Sequence, residues 1–151
     1  MSKSTFVYVT YIRTTPEKLF EALTDGRITR QYWGHENISD WQPGSTWKHC
    51  DAANGNVRIL GEVLESKPPH RLLISWAFGP DAGDKAKRSR VAFDIGRVGD
   101  MVKLTVTHDE LDAGSEMDRA IREGWPRVLS SLKTLLETGK ALDTWAGKGE
   151  T

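Results

Sequence analysis

The chain has 151 residues, the length of one domain able to bury a core without disulfides or metal. Lys plus Arg and Asp plus Glu number 21 each, a formal net charge of zero, which speaks against a nucleic-acid binder, where neutralised phosphates supply most of the affinity. Cys50 is the single cysteine, so no internal disulfide can form and a reducing compartment is expected. No stretch approaches the ~20 apolar residues of a membrane helix. The opening MSKSTFVYV has no apolar run of signal-peptide length. A cytoplasmic location without membrane insertion is therefore expected.

In chain order, Phe6 to Arg13 is β-branched and aromatic and reads as a first strand. Thr15-Pro16-Glu17 is a helix start with Thr as N-cap and Pro at the first helical position. Leu19, Phe20 and Leu23 follow at helical spacing, and Asp25 can cap a second short helix carrying Ile28, Tyr32 and Trp33. Gly34 to Ser45 is polar and turn-rich and is read as a connection.

The period then changes to two. Trp47 and His49 alternate with Thr46, Lys48 and Cys50, which places Cys50 on the outward face. After the Asn54-Gly55 turn come Val57, Ile59, Gly61 and Val63 on one face, then Leu72, Ile74, Trp76 and Phe78 beyond Pro68-Pro69. Gly79 to Lys87 has no period and reads as a loop. Val91, Phe93 and Ile95, then Val102, Leu104, Val106 and His108, complete six strands with short connections, an antiparallel pattern that needs a cover on one face.

The last third supplies the cover. Ser115 with Asp118 resembles a capping box. Met117, Ile121, Gly124, Val128, Leu132 and Leu135 recur at steps of three or four, flanked by Trp125, Leu129 and Leu136. From about Glu116 to Leu142 such a helix runs ~40 Å. Pro126 inside it cannot donate to the carbonyl of Arg122 and is expected to bend it. The fold class is thus α+β: a curved antiparallel sheet around a long C-terminal helix, with two short helices after the first strand. One domain is expected over residues 1–143, with a loose tail at 144–151 that contains Trp145.

Four segments carry a more specific resemblance. They are Thr15-Pro16-Glu17-Lys18-Leu19-Phe20-Glu21-Ala22-Leu23-Thr24-Asp25 with Tyr32-Trp33; Gly61-Glu62-Val63-Leu64-Glu65 with Pro68-Pro69-His70-Arg71-Leu72; Thr105-Val106-Thr107-His108; and Gly124-Trp125-Pro126-Arg127-Val128-Leu129 with the leucines that follow. Together they resemble the START-like (SRPBCC, Bet v 1-like) superfamily, in the branch of the C-terminal domain of the activator of heat-shock protein 90 ATPase. The resemblance implies a helix-grip fold with a cavity between sheet and helix, a bacterial source and no resident cofactor.

An apolar cavity with a few orienting polar groups is the natural site in such an arrangement. Its expected lining is Trp47, His49, Trp76, Phe78, Phe93, Val106 and His108 from the strands, with Trp33, Trp125 and Leu129 from the helices. No catalytic set is expected: there is no Gly-x-Ser-x-Gly elbow and no inward carboxylate pair. Acid–base chemistry would have to come from His49, His108 or Tyr32. The histidines at 35, 49, 70 and 108 lack metal-ligand spacing, so no metal is expected. The sequence therefore points first to an apolar or aromatic small-molecule binder, monomeric or a homodimer. A chaperone-associated interaction module is the alternative, and a cyclase or hydrolase using the inward histidines a second one.

Overall fold

The computed structural model describes residues 2–142. In chain order its elements are β1 (Lys3–Ile12), α1 (Pro16–Thr24), α2 (Gly26–Trp33), β2 (His35–Ile38), β3 (Thr46–Asp51), β4 (Val57–Lys67), β5 (Arg71–Phe78), β6 (Ser89–Val98), β7 (Met101–Asp112) and α3 (Glu116–Thr138). The strands form one open antiparallel sheet in the order β1-β7-β6-β5-β4-β3-β2. Register irregularities between β1 and β7, β3 and β4, and β4 and β5 are the local breaks that let a sheet curl. At the first of these, Glu110 takes a positive φ of 60°.

The sheet has seven strands where the sequence reading expected six. The addition is β2, four residues paired to β3 from His35 opposite Asp51 to Ile38 opposite Lys48. Its inward residues, His35 and Asn37, are polar and buried, so the segment carries no apolar alternation to betray a strand. Burial is tolerated because the polar groups are paired. The Asn37 N–H donates to Thr29 Oγ1 at 3.0 Å, and Asn37 Oδ1 faces His49 Nδ1 at 2.7 Å. Cys50 also departs from expectation: it is buried, because the register slips between His49 and Cys50 and the outward alternation fails there. The loop after β5 holds two short 3₁₀ turns, Gly79–Asp81 and Lys85–Lys87.

The helix starts are as the sequence dictates. Thr15 accepts from the Lys18 N–H, Asp25 from the Arg27 N–H, and Ser115 from the Asp118 N–H. Asp118 reaches back to the Gly114 N–H, and the resulting hydrogen bonds hold its carboxyl below the usual range. At the other end α3 stops at Thr138, short of the expected Leu142, because Gly139 turns left-handed at φ 86° and closes the last turn onto Leu135. The helix continues through Pro126.

Ile121, Trp125, Val128, Leu129 and Leu132 of α3 share one core with the inner faces of the strands. The helix is also tied along the sheet edge: Arg122 lies over the Phe6 ring, the Lys133 ammonium donates to the Tyr11 carbonyl, and Glu137 accepts from the Arg13 N–H. Trp47 is wholly buried and donates its indole N–H to the Ser75 carbonyl at 2.7 Å. That bond crosses Gly61, where a Cβ would overlap both the Ser75 carbonyl oxygen and Trp47 Nε1. Glycine stands in the strand so that the indole can reach the backbone. No helix among the described residues is long and apolar enough to cross a membrane.

Candidate functional site

Between the first half of α3 and the β3–β5 part of the sheet lies a cavity of about 460 Å³. Its floor is aromatic: Trp33 from the end of α2, Trp76 and Phe78 from β5, and Trp125 from α3. The indoles of Trp33, Trp76 and Trp125 touch one another, with centroids 5.4 Å apart for Trp33–Trp125, 5.5 Å for Trp76–Trp125 and 6.4 Å for Trp33–Trp76. The helix wall is Met117, Ile121, Gly124 and Val128. Val57 and Arg58 lie on the rim, where both side chains are partly exposed.

Gly124 is the least constrained part of this wall. A Cβ built on it meets nothing within 4 Å, so no steric need explains a residue that costs a helix about 0.5–1 kcal/mol against Ala. Its absent side chain is cavity volume.

Of the ten expected lining residues, the structure brings Trp33, His49, Trp76, Phe78 and Trp125 to the cavity surface. The others sit one layer back. Trp47 is held against β5, Phe93 meets Trp125 edge-on at 5.9 Å, and Val106, His108 and Leu129 are buried in the packing behind. Sequence reasoning left out His35, which lies in the segment read as a connection, and Ile59. It also named Met117, Ile121, Gly124 and Val128 only as a core stripe. Their spacing was the available signal, but spacing does not tell a filled face from a hollow one.

His108 is a positioning group. The Trp125 indole N–H donates to its Nδ1 at 3.0 Å, and its Nε2 lies 2.8 Å from Ser89 Oγ. Because the Ser89 hydroxyl donates its one proton to the Trp76 carbonyl at 3.1 Å, Nε2 must carry the imidazole proton and donate it to Ser89. The chain Trp125, His108, Ser89, Trp76 backbone thus fixes both the tautomer and the pose of the Trp125 ring. Burial, which penalises the charged ring, drives the His108 pKa down to about 3. With both nitrogens engaged, this histidine has no valence left for a substrate. Tyr32 is likewise committed: it donates to the Ala22 carbonyl at 2.8 Å, and burial raises its pKa far above the ordinary phenol.

His35 and His49 are different. Their rings stack at 4.4 Å with 15° between planes. Burial lowers the pKa of both, that of His49 well below the ordinary value, with the neighbouring His35 adding to the effect. They are neutral bases at the cavity wall. No group of three or more His, Cys, Asp or Glu residues able to hold a metal occurs among the described residues.

The sequence matches the family described as Activator of Hsp90 ATPase homolog 1-like protein over residues 13–137. The chain belongs to this family. No curated protein matches it in sequence. Among solved structures, the Aha1 dimer from Colwellia psychrerythraea superposes with a TM-score of 0.76 at 22% identity, covering 91% of this chain and 99% of that one. A protein from Mesorhizobium loti gives 0.74 at 24% identity, covering 88% and 96%. An HSP90 activator from Plasmodium falciparum gives 0.70 at 24% identity, covering 87% and 95%. At these identities the likeness is one of fold, the helix-grip arrangement of an antiparallel sheet and a long C-terminal helix.

Proposed function

We infer that this member of the Hsp90-activator-like family binds an apolar or aromatic small molecule between α3 and the sheet. The observation that carries this reading is the cavity of about 460 Å³, within the size range of ligand sites, kept open by a helix glycine that no packing requires. Trp33, Trp76, Phe78 and Trp125 are the proposed contacts, with His49 as an orienting group. Trp47, Phe93, Val106, His108 and Leu129 are proposed to act behind them by holding these rings in place. No cofactor enters the reading.

The test is a tryptophan-fluorescence titration with a set of neutral bicyclic aromatics. Saturable quenching is expected for the wild type and for Gly124→Ala, and its loss for Gly124→Phe, whose ring would occupy the cavity. Equal quenching in Gly124→Phe and wild type would place the ligand elsewhere and refute the reading.

The family match favours a second reading, a partner of a chaperone ATPase. It predicts that the purified chain raises the ATPase rate of a heat-shock protein 90, and no change at saturating concentration would remove it.

A further inference from the structure

We propose that the cavity selects a neutral ligand with a hydrogen-bond donor, a phenol-type hydroxyl on an aromatic body, whose proton the Nε2 of His35 or His49 accepts. This rests on the reading of the cavity as a ligand site and adds the chemistry of recognition at its β2–β3 end.

Proton placement on the two rings decides what they can bind. His35 Nδ1 lies 3.1 Å from the Trp33 carbonyl oxygen, which can only accept, so Nδ1 carries the proton. His49 Nδ1 lies 2.7 Å from Asn37 Oδ1. The Asn37 amide is oriented by its other end, whose Nδ2 donates to the Leu23 carbonyl at 3.4 Å, so Oδ1 accepts and His49 Nδ1 also carries its proton. Each ring therefore keeps a lone pair on Nε2.

Both rings line the cavity, and neither Nε2 has a protein partner among the described residues. Charging either ring is opposed by burial, which lowers both pKa values. The wall thus offers acceptors that stay acceptors at neutral pH, and a group that satisfies either of them must bring its own proton. The Trp76 ring is part of the same wall, and its indole N–H is buried with no partner among the described residues. A hydroxyl oxygen that donates to a histidine can accept a hydrogen bond as well, which an N–H donor on the ligand could not. A carboxylate would set oxygen lone pairs against nitrogen lone pairs and lose its hydration besides.

The experiment compares 2-naphthol, 2-methoxynaphthalene, naphthalene and 2-naphthoate by calorimetric titration at pH 7 on the full chain. The expected result is 2-naphthol binding about tenfold more tightly than 2-methoxynaphthalene, the effect of one net hydrogen bond, with 2-naphthoate weakest. In the double variant His35→Phe, His49→Phe the preference is expected to fall below about twofold. Should that variant not fold, ¹⁵N-labelled wild-type protein carries the test. Its imidazole signals should show the proton on Nδ1 of His35 and His49 and on Nε2 of His108, and naphthol should shift the Nε2 signals of the first pair.

Equal affinity for naphthol and its methyl ether overturns the inference while leaving the cavity a ligand site. Tighter binding of the naphthoate, or an Nε2 proton on either ring, does the same. If none of the four compounds binds, the ligand-site reading falls and this inference falls with it.

Discussion

The histidines show how little a residue type says before its neighbours are known. His49 and His108 both occupy inward positions on strands and look alike in the sequence. One lines the cavity with its Nδ1 held by Asn37, and the other is spent between Trp125 and Ser89. His108 has a consequence for stability. Its unfolded pKa is near 6.5 and its folded pKa about 3, so between these values the unfolded chain binds a proton the folded chain refuses. The stability this group contributes is full above pH 6.5 and is lost as pH falls toward 3, by up to about 1.4 kcal/mol per pH unit. Thermal melts between pH 7 and 5 should show the midpoint falling with pH, and more gently in His108→Gln, which cannot titrate. The variant should be less stable than wild type at pH 7, because the Trp125 N–H loses its acceptor geometry.

At the scale of elements, β3 is tied to β5 across β4 through a single missing side chain. Gly61 lets the Trp47 indole pass to the Ser75 carbonyl. Gly61→Ala should therefore cost about 3 kcal/mol in chemical denaturation, combining overpacking with a lost buried hydrogen bond. A change below about 0.5 kcal/mol would mean that the indole bond does not hold these strands. The same scale explains what the sequence reading placed well. The N-caps at Thr15, Asp25 and Ser115 act within three residues of themselves, and the apolar alternation of β4 to β7 follows from a sheet with one covered face. It explains the misses too. β2 is short and turns a histidine and an asparagine inward, and its burial depends on Thr29 and His49, far off in sequence. Cys50 was misplaced by a register slip that only strand pairing reveals.

For the whole molecule, the sheet and α3 share one core, so a ligand held between them should stabilise the entire fold. At a free concentration one hundred times its Kd, the gain is about 2.7 kcal/mol, or a rise of roughly 5–10 °C in Tm for a chain of this length. Differential scanning fluorimetry with a compound that quenches tryptophan checks it, and quenching without any rise would mean that the compound does not bind the folded state preferentially.

What the sequence determined by itself is the α+β class, the order and type of every element but β2, the helix caps and the family. These rest on local chemistry and on the period of the apolar residues. The expected tail at 144–151, with Trp145, lies outside the described residues. The tertiary structure alone decided which inward residues line a cavity and which fill the core behind it. Trp47 and Trp76 have the same period and the same chemistry, but one bonds across Gly61 and the other stands at the cavity wall. It also decided the tautomers of His49 and His108, because each is set by the partners of the ring nitrogens, and those partners come from other elements. At Gly124 the sequence showed a gap in a helical stripe, and only the packing around it shows that the gap is space.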